Sequence, residues 1–234
     1  MQSIIFDFGN TLATSGLPLN WQEFYRDALT QVLKTIHCEV SPHKIQIGEK
    51  LLEKYNTRLY PREIEVNSNI IFSELFQEWG ISDLSKIKDA EDIFFSFFLK
   101  ATVYYPDAKP TLKQLKNKNI KTGVLTDTAY GADKKYLISA VPDIIQYIDV
   151  FLSSTDIGFR KPHIKGYIEV AKQLKTLAIE CFFVGDEEKD ILGANNCGMV
   201  SVFIDRNDQS KEFGQQHTIR SLAEIVNLID IRSP

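Results

Sequence analysis

The stretch IIFDFGNTL at residues 4–12 joins an apolar run to a carboxylate and a small polar loop. Two Ile residues and a Phe are typical of a buried strand, so we predict a first strand over residues 2–7. The strand ends on Asp7, and Gly9 and Asn10 follow shortly after it. An apolar strand that ends on a carboxylate marks Asp7 as a candidate for chemistry. If Asp7 reacts, a second acidic group is expected nearby to handle protons, and position 9 offers only Gly.

Composition narrows the class of protein. The chain has 234 residues, of which 44% are hydrophobic and 25% charged, so it can bury a sizeable core. A net charge of -4 favours neither nucleic acid nor an anionic membrane as a partner. Cys38, Cys181 and Cys197 are odd in number and widely spaced, which is typical of free thiols in a reducing cytosol. Apolar runs stay well short of the ~18 residues that span a bilayer, so we expect a soluble, cytoplasmic protein.

Helical periodicity dominates the chain between the first strand and about residue 100. Apolar residues from Trp21 to Ile36 recur at the spacing of one helix face, and similar patterns follow. The predicted helices in this part cover residues 21–36, 41–57, 62–79 and 88–100.

Strands and helices alternate from about residue 104 onward. The predicted strands are 120–126, 150–154, 181–186 and 200–204, and the predicted helices are 110–118, 129–140, 163–175, 188–196 and 221–230. Repeated β-α units predict an α/β fold, with a parallel sheet and helices on both of its faces. We therefore predict an α/β core formed by residues 1–15 and 104–234, and a helical insertion, residues 16–103, after the first strand.

The residues that end the predicted strands define a candidate site. Ligands of such sheets bind at the carboxyl ends of the strands, where this chain places Asp7, Thr126, Asp127 and Asp186. Asp190 follows Asp186 by about one helical turn. Carboxylates ~4 Å apart repel by about 4 kcal/mol at an effective dielectric of 20, so a cluster of them needs a cation. An all-oxygen set without His or Cys points to Mg²⁺.

A basic pair completes the constellation. Arg160 and Lys161 lie in the loop DIGFRKP, which follows the strand at 150–154. We expect Lys161 to neutralise charge and to hold the nucleophile or a phosphate. The Thr126 hydroxyl and the backbone N–H groups after Asp7 are expected to donate to phosphoryl oxygens.

Together these motifs resemble the haloacid dehalogenase (HAD) superfamily. The resemblance rests on DFGNT at 7–11, the strand that ends in Thr126, RKP at 160–162 and GDEEKDILGANNCGM at 185–199, in the family's order and spacing. The helical insertion resembles the family's type C1 cap. The resemblance implies a HAD-like Rossmannoid sheet and a Mg²⁺-dependent phosphatase that acts on a small phosphorylated metabolite through an aspartyl-phosphate.

The resemblance also implies roles for single residues. Asp7 would be the nucleophile and Lys161 the charge-balancing lysine. The metal would be held by Asp7, the backbone carbonyl of Gly9, Asp186 and Asp190, the last as a ligand or as the partner of one. The residues expected to contact the substrate are Thr126, Asp127, Asn10 and Arg58.

Gly9 departs from the family's pattern. The family's phosphatases usually have a second Asp there, which protonates the leaving alkoxide and then activates the hydrolytic water. Its dehalogenases typically have Tyr there, and its phosphomutases use the same missing acid, so both activities are disfavoured. Aryl or acyl phosphates, and to a lesser degree sugar 1-phosphates, need less help from an acid, and members with Gly that resemble the glucose-1-phosphate phosphatase branch are active. Asp127 or a residue of the cap is a candidate replacement.

Two alternatives to a phosphatase stay open at this stage. One is a catalytically weak or inactive relative that binds a phosphate ligand or a protein partner. The other is a different family activity such as phosphonate cleavage, which needs a cap lysine, Lys50 or Lys54, in the site. Arg58, Tyr60 and Arg62 break the helical pattern, and they either face the cleft or form a solvated loop. The sequence does not decide between a monomer and a homodimer.

Overall fold

The computed structural model describes residues 2–17 and 20–232. The strands are β1 (Ser3–Phe6), β2 (Ala13–Thr14), β3 (Val103–Tyr104), β4 (Lys121–Thr126), β5 (Val150–Ser153), β6 (Cys181–Gly185), β7 (Val200–Ile204) and β8 (His217–Ile219). The helices are α1 (Tyr25–Thr35), α2 (Pro42–Tyr55), α3 (Ser68–Glu78), α4 (Ile87–Leu99), α5 (Ala108–Asn117), α6 (Lys134–Ala140), α7 (Pro142–Ile145), α8 (Ser154–Ile157), α9 (Ile164–Gln173), α10 (Glu188–Asn196) and α11 (Glu224–Arg232).

Six strands form one parallel sheet in the order β5-β4-β1-β6-β7-β8, which confirms the predicted fold class. Helices cover both faces, because side chains of a strand alternate between its two sides. Ile4 and Phe6 of β1 share a hydrophobic cluster with Leu112 of α5, whereas Ile5 shares one with Val170 of α9. β1 lies between β4 and β6, so the residues that follow these three strands lie at one edge of the sheet. Within the described residues, no helix has both the length and the apolar character needed to cross a membrane.

Helices α1 to α4 lie between β2 and β3 in the chain and share a separate hydrophobic cluster. Aromatic rings fill much of this cluster. The ring centroid of Phe94 lies 5.4 Å from that of Phe72 and 5.0 Å from that of Phe98. Tyr130 and Ala132, from the loop after β4, belong to the same cluster. We call residues 20–102 the helical insert. Its packing on the loop after β4 sets it close to the carboxyl edge of the sheet.

The predicted helix over 62–79 begins later than expected, at Ser68. The preceding segment pairs with the core instead, where Ile64 forms an isolated antiparallel bridge with Phe159. Strands β2, β3 and β8 were not predicted. They have only two or three residues each, too few to produce a periodic signal.

The predicted helix over 129–140 is also shorter than expected. Tyr130 lies in the left-handed region with a φ of 51°, inside a short 3₁₀ turn, and this breaks the helix. Helix α6 then begins at Lys134, after Asp133, whose side chain accepts a hydrogen bond from the backbone N–H of Lys135 at 2.8 Å. Hydrophobic spacing does not report a single left-handed residue.

Candidate active site

Three carboxylates meet where β1 and β6 end. Asp7 follows β1, and its backbone N–H donates to the Val184 carbonyl of β6 at 2.8 Å. Asp186 follows β6, and Asp190 lies in the first turn of α10. One carboxylate oxygen from each of these three Asp residues lies within 4.8 Å of the others. The structure therefore brings together the three acidic side chains that the sequence analysis placed at a metal site.

Lys161 lies against this acidic cluster and is itself buried. Its Nζ lies 2.5 Å from Oδ1 of Asp7 and 2.6 Å from Oδ1 of Asp190. Burial disfavours the charged ammonium, but the neighbouring Asp190 and Asp7 outweigh burial and raise the pKa of Lys161 well above its ordinary value. Lys161 is thus held as a cation between two carboxylates.

One lysine does not neutralise the whole cluster. Burial raises the pKa of Asp7 to about 6, with the charge of Asp190 adding to the effect and Lys161 opposing it. Burial raises the pKa of Asp186 to about 8, and the charges of Asp7 and Asp190 add to it. Crowded, buried carboxylates without a His or Cys among them fit a hard divalent cation such as Mg²⁺.

Gly185 allows Asp190 to reach this position. A Cβ atom on Gly185 would lie 2.4 Å from the Cβ of Asp190, far inside van der Waals contact. Oδ2 of Asp190 also accepts a hydrogen bond from the backbone N–H of Glu187 at 3.0 Å, which caps α10. No sequence pattern marked Gly185 for a role, although it directly precedes Asp186.

Thr126 and Asp127 end β4 at the same edge. Thr126 is buried and lines the cavity described below. Asp127 uses both carboxylate oxygens within the protein, because Oδ1 accepts from the Lys161 backbone N–H and Oδ2 from Nζ of Lys189, each at 3.0 Å. Burial alone would raise its pKa, but Lys189, Arg160 and Lys161 lower the pKa to about 2. An ionised, fully engaged carboxylate is poorly suited to replace the missing general acid.

The loop after Asp7 contains one left-handed residue. The left-handed residue is Asn10, with a φ of 54°, and not Gly9. Gly9 is exposed, and a Cβ atom placed on it would have no atom within 4 Å. Neither backbone geometry nor packing therefore requires Gly at this position.

The helical insert contacts the site through its basic residues. Arg58 forms an ion pair with Glu187, so its guanidinium joins the insert to the core. Arg62 donates to the Tyr55 carbonyl at 2.9 Å and also lines the cavity. Tyr60 is 57% exposed and lies outside the cavity lining.

The two lysines that phosphonate cleavage would need do not reach the cavity. Lys50 is exposed, and Lys54 pairs with Glu74 at 2.5 Å. Neither residue lines the cavity.

A cavity of about 360 Å³ lies between the insert and the sheet edge. Its lining combines the predicted site residues with further polar residues and with apolar ones such as Trp21 and Tyr130. The site residues that line it are Asp7, Gly9, Asn10, Arg58, Thr126, Asp127, Lys161 and Asp186.

A buried network behind the cavity escaped the sequence analysis. Glu65 of the insert forms an ion pair with Arg160 and accepts a hydrogen bond from Oγ of Ser154 at 2.5 Å. Arg160 also donates to the Thr128 carbonyl at 2.9 Å. Glu65 and Arg160 are far apart in the chain, so no local pattern could pair them. The network ties the insert to the residue directly before Lys161.

Comparison with known proteins agrees with this fold. The family model "Haloacid dehalogenase-like hydrolase" matches residues 4–204, and the chain belongs to this family. It is 39% identical to a glyceraldehyde 3-phosphate phosphatase of Methanopyrus kandleri over 103 residues, which are 44% of this chain and 43% of that relative. It is 27% identical to a glyceraldehyde 3-phosphate phosphatase of Methanothermobacter thermautotrophicus over 226 residues, which are 95% of this chain and 84% of that relative.

Solved structures show the same fold. The crystal structure of a HAD phosphatase from Thermococcus onnurineus matches with a TM-score of 0.69 and 20% identity, and the match covers 98% of both chains.

The chain spans about half the length of the first curated relatives that it matches.

Proposed function

We propose that this protein is a Mg²⁺-dependent phosphatase that acts on a small phosphorylated metabolite through an aspartyl-phosphate on Asp7. Residues 1–15 and 104–234 form its catalytic core, and residues 16–103 act as a cap over the site. The observation that carries the proposal is the Asp7 carboxylate beside Nζ of Lys161, within an acidic cluster that opens on the cavity. The phosphatase names of the relatives support the reaction class.

The acidic cluster suits the proposed metal. The carboxylates of Asp7, Asp186 and Asp190, together with the backbone carbonyl of Gly9, would hold Mg²⁺. The chemistry that the ion supplies when bound is neutralisation of negative charge on the phosphoryl oxygens.

The residues of the chain would carry out two steps. In the first, an oxygen of Asp7 forms a bond to phosphorus while the bond between phosphorus and the ester oxygen breaks. Lys161 holds the Asp7 carboxylate in place, and the Thr126 hydroxyl donates to a phosphoryl oxygen. In the second, the oxygen of a water molecule forms a bond to phosphorus while the bond between phosphorus and the Asp7 oxygen breaks. The electron pair of that bond returns to Asp7 as its carboxylate, phosphate is released, and the proton lost by the water passes to solvent.

Hydrolysis of p-nitrophenyl phosphate with Mg²⁺ tests this proposal. Asp7→Asn removes the nucleophile and is expected to lower the rate roughly 10³-fold or more. The matched control is Asp208→Asn, because Asp208 is an exposed residue that lies outside the cavity lining. An acid quench of the wild-type reaction, followed by mass spectrometry, should find a phosphoryl group on Asp7. Full activity in Asp7→Asn refutes the proposal.

A substrate panel separates the phosphatase from an inactive relative. Glyceraldehyde 3-phosphate and phosphoglycolate belong in the panel because they occur in the names of relatives. Turnover of no member, together with retained Mg²⁺-dependent binding of vanadate, identifies a phosphate-binding protein instead.

A further inference from the structure

The structure leaves room for a proton donor at position 9 but places none there. A Cβ atom on Gly9 would meet nothing within 4 Å, and the backbone does not adopt a left-handed conformation at this residue. The fold would therefore accept a larger side chain, including Asp. The absence of an acid at position 9 is thus a property of the chemistry of this site and not of its packing.

The cavity carboxylates outside the acidic cluster do not take over that role. Asp127 accepts hydrogen bonds from Lys161 and Lys189, and Glu187 is held by Arg58 and Lys189. Among the described residues that line the cavity, every carboxylate outside the acidic cluster has a cationic partner, and none of the lining residues is a histidine. No carboxyl group of the described lining outside the acidic cluster is therefore free to give a proton to the leaving group.

Part of the cavity wall is aromatic. Trp21 and Tyr130 line it, and the Trp21 ring is stacked on Phe98 with the centroids 4.0 Å apart and the planes at 4°. The left-handed φ of Tyr130 is unusual for an aromatic residue, and its hydroxyl is hydrogen-bonded to that of Tyr25. Rigid aromatic walls of this kind bind flat apolar groups.

We propose that the substrate is an aryl phosphate, the phosphate monoester of a phenolic hydroxyl. This inference rests on the proposed function. When Asp7 forms its bond to phosphorus, the bond to the phenolic oxygen breaks and the phenolate leaves with the electron pair. A phenol has a pKa of about 10, so its anion leaves without protonation and takes its proton from solvent afterwards. An alkoxide is far more basic and needs an acid.

All substrates give the same aspartyl-phosphate, so its hydrolysis does not depend on the leaving group. The protein can therefore distinguish aryl from alkyl phosphates only in the first step, the transfer of the phosphoryl group to Asp7. The second step also lacks a base at position 9, and it should limit the steady state for aryl phosphates. An initial burst of phenolate, close to one equivalent per enzyme, is then expected for aryl phosphates.

The test compares kcat/KM, which reports the first step, across a series of aryl phosphates, acetyl phosphate and glyceraldehyde 3-phosphate, all with Mg²⁺. The wild type should prefer the aryl esters over the alkyl ester by about 10²-fold or more, which is the lower end of what a general acid contributes. Gly9→Asp should raise kcat/KM for glyceraldehyde 3-phosphate more than for the aryl phosphates, and so reduce the ratio between the two. Gly9→Asn is the matched control, with a similar shape and no acid, and should not reduce this ratio.

Three results would overturn the inference. They are alkyl turnover equal to aryl turnover in the wild type, equal rate increases for both esters in Gly9→Asp, and a kcat/KM for acetyl phosphate that equals or exceeds that of the aryl esters. Turnover of no ester at all refutes the proposed function itself, and the inference falls with it.

Binding to the unmodified protein tests the wall separately. Phenylphosphonate, which the enzyme does not hydrolyse as an ester, should bind wild type with Mg²⁺ about tenfold more tightly than methylphosphonate, because the ring buries apolar area against Trp21 and Tyr130. Trp21→Leu should reduce this difference. Equal affinities for the two phosphonates in the wild type would overturn the assignment of an aromatic leaving group.

Discussion

Replacing Glu65 by Gln should expose how strongly the helical insert depends on a charge buried at its junction with the core. The Glu65 side chain is fully buried and pairs with Arg160. It also accepts hydrogen bonds from Oγ of Ser154 at 2.5 Å, from the Val66 backbone N–H at 2.9 Å and from the Arg62 guanidinium at 3.4 Å. Gln keeps the shape of the side chain and removes its charge. Arg160 then stays buried, with its nearest other carboxylate, that of Asp127, at 3.8 Å.

Removing one partner of a buried ion pair costs about 3–5 kcal/mol, because the other charge stays desolvated. We expect Glu65→Gln to lower the free energy of unfolding by this amount. For a chain of this size the change corresponds to a Tm lower by about 6–20 °C. Urea unfolding should be followed by far-UV circular dichroism and by tryptophan fluorescence. Both tryptophans, Trp21 and Trp79, lie in the insert, so fluorescence reports its unfolding.

The matched control is Glu49→Gln, since Glu49 pairs with Arg26 at 3.3 Å near the surface. Exposed ion pairs contribute about 0–1 kcal/mol, so this change should have little effect. Adding Arg160→Met to Glu65→Met should recover part of the loss, because it removes the stranded charge. A loss for Glu65→Gln as small as that for Glu49→Gln would refute the reasoning.

Two further changes test the site itself. Gly185→Ala places a Cβ atom 2.4 Å from that of Asp190 and should weaken Mg²⁺ binding about 10–100-fold, as measured by calorimetry. An unchanged affinity for Mg²⁺ in this variant would contradict the reasoning. Gly9→Ala, whose Cβ atom meets nothing within 4 Å, should have the same free energy of unfolding as the wild type. The pKa of Asp127 is lowered from 3.8 to about 2, so its carboxylate adds stability that is fully present above pH 3.8 and is lost as the pH falls towards 2. A shift of one pKa unit corresponds to about 1.36 kcal/mol. Between pH 5 and pH 2, the free energy of unfolding of the wild type should therefore fall by about 2 kcal/mol more than that of Asp127→Asn, as measured by urea unfolding. Parallel pH profiles of the two proteins would count against this.

Much of the candidate site followed from local sequence patterns. Asp7 and Asp186 each directly follow an apolar run, and parallel strands end at the same edge of a sheet, so their meeting required no further information. Lys161 was placed there by its motif, and the structure adds its two ion pairs, with Asp7 and Asp190. Gly185 was overlooked because the close approach that requires it depends on how α10 packs against β6.

Helices and strands with a regular hydrophobic periodicity were predicted well. Segments whose conformation depends on contacts with distant residues were not. Residues 62–67 belong to the predicted helix over 62–79 but precede α3, and Ile64 pairs there with Phe159 of the core. Tyr130 interrupts a predicted helix because its ring packs into the cluster of the insert. In both places tertiary packing outweighs a weak local preference.

The sequence by itself determined the α/β class, the positions of five of the strands along the chain, and the acidic and basic residues that gather at the sheet edge. These follow from hydrophobic period and from short motifs, which report on neighbours a few residues away. Only the tertiary structure decided the partners of Asp127, the aromatic wall at Tyr130 and the ion pair between Glu65 and Arg160. The last two residues are 95 positions apart, and a contact of that range exists only once the insert has folded back onto the sheet edge.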